Sequence, residues 1–239
     1  MRIAILFTGR INYYKDIYNN IIENIVNNNQ YDCYLSTSPD ITDVDDLKEF
    51  IDLYKPVKVI NEPIYHNFDY DKYEKLSCWV RPRNICDMWY NRMRIFNVIE
   101  DKYDIILSYR LDLNAFNYMN YEINDSIHIP LCDDYSGGIN DQVAYGNYNE
   151  MKKYMNLYLK LPEILNNCKM HPETILKYYI NNYNLNVKRI ENFIYYIINN
   201  ENYGMDMIYC ISKKYVFTED LTEDDIQQAK IIKDNNIII

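Results

Sequence analysis

Glycine is scarce, with five residues in a chain of 239. No G-x-x-x-x-G-K-[ST] loop occurs, and no G-x-G-x-x-G follows the first apolar run. Ordinary P-loop and dinucleotide-binding chemistries are therefore disfavoured. No G-x-S-x-G nucleophile elbow occurs either. Histidine numbers three, His66, His128 and His171, no two of them close in sequence, which argues against a His-rich zinc centre. The six cysteines (Cys33, Cys78, Cys86, Cys132, Cys168, Cys210) include no C-x-x-C pair. Disulfide frameworks belong to small secreted chains, so free thiols in a reducing, cytoplasmic setting are expected. Long apolar runs are missing too. Ile3–Phe7, Ile194–Ile198 and Ile237–Ile239 fall far below the roughly 20 residues that cross a bilayer. No charged-then-apolar signal opens the chain. Positive charge is outnumbered, 25 Lys and Arg against 35 Asp and Glu, for a net charge of −10. Nucleic acid and anionic membranes call for a broad positive field, so neither is expected as a partner. An anionic small ligand held by a few local cations stays compatible with that balance.

Hydrophobic residues make up 48 % and charged residues 25 %, enough to bury the core of one large domain. The excess of Asn, Ile and Tyr, with 27 tyrosines, matches what AT-rich codons encode and reports the genome more than the function. The glycine scarcity says more. A glycine kept in such a chain tends to occupy a backbone position that other residues do not tolerate. Gly137, Gly138 and Gly146 lie within one ten-residue window.

Arg2–Phe7 reads as a strand buried on both faces, ended by Thr8-Gly9-Arg10. A helix is predicted over about 14–27, with Ile17, Ile21, Ile22 and Ile25 at helical spacing. A strand follows at 31–37. A helix opens at Asp43-Val44-Asp45-Asp46, with acids where the macrodipole favours them. A short strand is predicted at 57–60 and a long polar, aromatic loop at 61–75. Asn84 to Glu100 reads as a long helix with Ile85, Trp89, Met93, Phe96 and Ile99 as its stripe. Asp104–Tyr109 is a third strong strand. Further strands are predicted at 126–131 and 142–145, and the remainder reads as mostly helical, including a helix opened by His171-Pro172-Glu173. Strand–helix alternation followed by helices is an α/β pattern with a mostly parallel sheet. Ligands of such sheets sit beyond the carboxyl ends of the strands.

Four stretches could carry chemistry. Ser108-Tyr109-Arg110-Leu111-Asp112-Leu113 delivers a cation and a carboxylate, two residues apart, to the ligand edge. Asp112 could bind Mn²⁺ or Mg²⁺ and Arg110 a phosphate oxygen. A plain surface pair at a strand end is the competing reading. Gly137-Gly138-Ile139-Asn140-Asp141-Gln142 offers a backbone that can approach a ligand, then a polar pair whose carboxylate could deprotonate a hydroxyl. A glycine turn capped by Asn140 and Asp141 is the alternative. Trp79-Val80-Arg81-Pro82-Arg83-Asn84 places two arginines beside a helix start, which suits phosphate or is merely an exposed pair. His171 either caps its helix or, with Asp112 brought beside it, serves as a metal ligand.

The order of the first strand, the Tyr109-Arg110-Leu111-Asp112-Leu113 strand end, the Asn140-Asp141-Gln142 to Gly146 segment and the His171-Pro172-Glu173 helix resembles small glycosyltransferases of the GT-A fold. It is most similar to sugar-nucleotide transferases of large DNA viruses and polysaccharide clusters, over about residues 1–185. Their strand-end acidic motif is usually D-x-D, and here Arg110 holds its first position. The resemblance implies a single Rossmann-like GT-A domain with a mostly parallel central sheet and a helical C-terminal part; the domain is taken over 1–217, followed by a C-terminal tail at 218–239 that the resemblance does not cover. It implies a nucleoside diphosphate sugar as donor and a glycan acceptor, in the cytoplasm, that of the host if the protein is viral. Gly9, Arg10, Arg81, Arg83, Arg110, Asp112, Gly137, Gly138 and Asn140 are then the donor-binding candidates. Asp141 is the catalytic base, and Asp112 with His171 would hold Mn²⁺ or Mg²⁺. A non-catalytic glycosyltransferase-like binding protein is the alternative. A sugar-nucleotide nucleotidyltransferase is disfavoured, because the first strand lacks a glycine-rich basic loop.

Overall fold

The computed structural model describes residues 1–73, 81–131, 134 and 137–199, and the backbone of strands 206–211 and 214–217. Trp79, Val80, Cys78, Cys132, Asp133 and the 218–239 tail lie outside these residues, as does the side chain of Cys210.

A seven-stranded sheet forms the centre, in the order β3-β2-β1-β4-β7-β6-β8. Its strands are β1 (Arg2–Thr8), β2 (Gln30–Thr37), β3 (Lys58–Asn61), β4 (Ile105–Tyr109), β6 (Ile127–Pro130), β7 (Val143–Gly146) and β8 (Val187–Ile190). β1 pairs in parallel with both β2 and β4, as the three apolar runs imply. β2 with β3 and β6 with β8 are also parallel, while β7 runs antiparallel to both its neighbours. The sheet is thus mixed but mostly parallel.

β1 shows why a continuous apolar run was needed. Ala4 and Leu6 face one core cluster, while Ile3, Ile5 and Phe7 face the other. All five are fully buried. One cluster is covered by α3 (Pro82–Phe96), α4 (Tyr148–Met155), α5 (Leu161–Leu165) and α6 (Pro172–Asn182). The other is covered by α1 (Tyr14–Asn20), its π-helical continuation Ile21–Val26 and α2 (Val44–Tyr54). Asp43 caps α2 by accepting the N–H groups of Asp45 and Asp46. Pro82 takes the first turn of α3, so that helix starts two residues before the apolar stripe suggests and ends at Phe96.

The chain beyond Gly146 corrects one expectation. It is helical to Asn182, then returns to strands: β8, β9 (Tyr195–Asn199), β10 (Asp206–Ile211) and β11 (Lys214–Phe217). β9, β10 and β11 join β5 (Leu113–Ala115) in a second, antiparallel sheet of order β11-β10-β9-β5. The apolar run at 194–198 is a strand because a distant partner, β5, offers it a ladder. Asn20 and Asn24, both buried, hold that partner by donating to the Ala115 carbonyl at 2.7 and 2.9 Å. The Asn20 side-chain oxygen accepts the Ala115 N–H at 2.8 Å. Cys33, Cys86 and Cys168 are free thiols. Among the described residues no helix is long and apolar enough to cross a membrane.

Candidate functional site

The parallel strands deliver their carboxyl ends to one edge of the sheet, and β7, running the other way, delivers its amino end there. The segments after β1 and β4 and the segment before β7 therefore share that edge. Gly9, Arg10, Arg110, Asp112, Asn140 and Asp141 all belong to it.

Gly9 follows β1 with φ +90°, and its N–H donates to the Ser36 carbonyl at 2.9 Å. No heavy atom beyond its chain neighbours lies within 4 Å of the point a Cβ would take there, so the backbone is open to a ligand. Arg10 is exposed. After β4, Arg110 Nε donates to Asp112 Oδ1 at 2.9 Å, and its Nη2 reaches Oδ2. Both side chains are partly in water. The second sheet places this pair, since the Asp112 carbonyl accepts the N–H of Ile198 at 2.8 Å.

The segment 137–142 is held very differently. Gly137 has φ +69°, and its carbonyl accepts Lys177 Nζ at 2.6 Å. Gly138 lies directly on α6. A Cβ there would sit 2.4 Å from the Glu173 carbonyl carbon, a contact that backbone cannot yield to. The Ile139 N–H donates to the Glu173 carbonyl at 3.1 Å. Asn140 is fully buried. Its Nδ2 donates to the Tyr195 hydroxyl at 2.6 Å, and its Oδ1 accepts the Gln142 N–H at 2.8 Å. Asn140 thus performs the turn-closing task.

Asp141 does not cap the turn. It is 3 % exposed, and Arg92 of α3, 1 % exposed, faces it. Arg92 Nη2 donates to the Asp141 carbonyl at 2.5 Å, and Nη1 lies 3.5 Å from Oδ2. The guanidinium also stacks on Trp89, 4.5 Å from the ring centre. Glu173 adds a second buried carboxyl, with Oε2 2.8 Å from His171 Nδ1. Burial pushes the Glu173 carboxyl above its ordinary range and the charge of Asp141 adds to this, while the neighbouring His171 opposes it. His171 stands at the N-cap position of α6, but its side chain makes no cap and turns to Glu173.

Of the two arginines beside α3, Arg81 is exposed at the N-cap position. Arg83 lies inside the first turn, paired with Asp40 at 2.8 Å and Asp87 at 3.4 Å. Asp87 in turn meets His66 Nε2 at 2.6 Å, and His66 Nδ1 meets the Tyr158 hydroxyl at 2.9 Å. This pins the 61–73 segment, expected as a long loop, onto α3. Asp134 pairs with Arg189 at 2.6 Å and accepts the Asn140 N–H at 3.0 Å. A groove of about 530 Å³ lined by Tyr14, Lys15, Tyr18, Asn19, Glu49 and Leu53 lies between α1 and α2 and includes none of the candidate residues.

The two metal candidates have separate partners, Arg110 for Asp112 and Glu173 for His171. Among the described residues no three His, Cys, Asp or Glu side chains gather where they could hold a metal ion. Asp112 therefore offers a cation one carboxylate, and both of its oxygens already accept from Arg110. Sequence reasoning did not single out Arg92 or Glu173 as site residues. Arg92 sits in mid-helix, 49 residues before its partner, where nothing local marks it. Glu173 was visible only as part of the helix-opening His171-Pro172-Glu173.

No family model matches the chain, and no curated protein does. Among solved structures, the chain is similar to the apo form of the glycosyltransferase GlyE of Streptococcus pneumoniae TIGR4. Identity is 13 %, the TM-score is 0.47, and the match covers 79 % of this chain and 45 % of that one. The chain thus spans less than half the length of that structure.

Proposed function

We propose that the chain moves a sugar from a nucleoside diphosphate sugar to a hydroxyl of a glycan or glycoprotein acceptor. The observation that carries the reading is the meeting, at one strand edge, of an open glycine turn, a solvent-facing Arg110–Asp112 pair and a glycine-opened segment ending in Asp141. The motif order that resembles GT-A enzymes supports it independently.

In the transfer, the bond from the anomeric carbon to the diphosphate breaks and the bond to the acceptor oxygen forms. The electron pair leaves with the diphosphate, so positive charge is needed there. Arg110, Arg10 and Arg81 supply fixed cations for it, and Gly9 lets the backbone come close. Asp112 is the residue that would offer a carboxylate to Mn²⁺ or Mg²⁺ on release from Arg110, and such an ion would add positive charge beside the leaving diphosphate. The acceptor hydroxyl must lose its proton as the new bond forms. Asp141 takes it if the anomeric centre inverts. Its carboxylate is nearly buried in the free chain, and catalytic contacts of this kind often form fully only with substrate bound.

The competing reading is a glycosyltransferase-like scaffold that binds a glycan without turnover. Its support is that both key carboxylates already have arginine partners. Thermal shift with UDP, GDP and their sugars, with and without Mn²⁺, separates the two. A donor-using enzyme gains stability with the right nucleotide and releases nucleoside diphosphate on incubation. A scaffold without a donor site shows neither.

A further inference from the structure

Among the described residues Arg92 is the only Lys or Arg that is buried. A buried guanidinium is costly unless its donors are satisfied, yet Nε and Nη1 of Arg92 make no hydrogen bond. Its polar contacts go to one residue, Asp141, at both the carbonyl and the carboxylate. Stability alone explains this poorly, because well-packed apolar residues in place of a buried pair are often as stable or more so. The planar fork and the Trp89 face that backs it hold direction as well as charge. The two contacts to Asp141, one on the backbone and one on the side chain, fix where that carboxylate lies.

We infer that Arg92 is a positioning residue that grips Asp141 by its peptide carbonyl and its carboxylate, holding that carboxylate ready for the acceptor hydroxyl behind the Gly137–Gly138 turn. The inference rests on the glycosyl-transfer reading for its purpose, though not for its geometry. Arg92 touches no substrate in this scheme. It acts through Asp141, and the fork of an arginine does what a lysine's point charge does not.

The test compares Arg92→Lys in the native chain and in an Asp141→Asn background, using hydrolysis of UDP-glucose, UDP-galactose, GDP-mannose and GDP-fucose with Mn²⁺. In the native background Arg92→Lys should lower kcat by about tenfold or more and leave donor KM within about threefold. In the Asp141→Asn background it should cost nothing further, because the two residues act as one unit. Unchanged kcat, or equal losses in both backgrounds, overturns the inference. If Arg92→Lys does not fold, Arg92→Gln, which keeps one N–H for the Asp141 carbonyl, carries the same comparison. If the native chain hydrolyses none of these four donors, amide exchange decides the role of Arg92, and the transfer reading is left to the nucleotide thermal shift. Exchange at Asp141 and Gln142 about tenfold faster in Arg92→Lys supports the grip. Exchange unchanged there removes it.

Discussion

Arg110–Asp112 and Arg92–Asp141 are both arginine–aspartate pairs, at the ends of the neighbouring strands β4 and β7, and water separates their properties. In the first, the partners are two residues apart and their side chains are 36 % and 24 % exposed. In the second, they are 49 residues apart and 1 % and 4 % exposed. An exposed pair contributes at most about 1 kcal/mol and can exchange its partner for a phosphate or a cation at little cost. A buried pair cannot, because removing one partner leaves a charge with no solvent, at roughly 3–5 kcal/mol. The edge therefore has an adaptable half, suited to grip a ligand that arrives, and a prearranged half, suited to hold one group still.

Breaking the buried pair should give the largest effect. Arg92→Met should destabilise by roughly 3–5 kcal/mol, read as a fall in denaturation midpoint. Arg92→Met with Asp141→Asn should recover much of it. A single variant as stable as the parent would mean that the pair is not desolvated in solution.

Asp141→Asn comes next. Transfer should fall by roughly a hundredfold or more while donor affinity is kept. Near-normal transfer in a destabilised protein would remove Asp141 from the chemistry and favour a retaining reaction or a different base.

Gly138→Ala tests what seats the buried half against α6. The new methyl meets the Glu173 backbone, so destabilisation of about 1–3 kcal/mol is expected. Gly9→Ala meets open space and carries only the strain of its positive φ. Equal midpoints for these two variants would show that the α6 contact is loose.

Glu173 gives the buried half a pH signature. Its folded carboxyl binds a proton more tightly than the unfolded one, so its contribution is complete below the unfolded value of 4.5 and is lost as pH rises through the folded value. Glu173→Gln should therefore gain in Tm over the parent as pH goes from about 5 to 8. A gap independent of pH would mean that His171 fully offsets the burial.

The smallest effect on stability belongs to Asp112→Asn, at most about 1 kcal/mol. Its readout is binding of UDP and GDP with and without Mn²⁺. Metal-dependent binding that survives the substitution would remove Asp112 as a ligand.

Much of this edge is legible in the order of the residues. Runs such as Arg2–Phe7 and Asp104–Tyr109 can be satisfied only between two apolar layers, so they have to be inner strands, and whatever follows an inner parallel strand reaches the ligand edge. Gly9, Arg10, Arg110 and Asp112 stand at strand ends for that reason. The rarity of glycine marks Gly138, whose closeness to α6 tolerates no side chain. For Asn140 and Asp141 the sequence allows either a turn or chemistry. The fold divides them, with Asn140 closing the turn and Asp141 facing a cation.

What the chain determines by itself is what neighbours along it can express: apolar period, helix starts at Asp43 and Pro172, and the local Arg110–Asp112 pairing. Only the tertiary structure decided that 195–199 is a strand, that Arg92 reaches Asp141, that His171 turns to Glu173 instead of Asp112, and that one aspartate is wet while the other is dry. Each of these depends on residues brought together by the fold, and the burial that sets their energies exists only once the layers have closed over them.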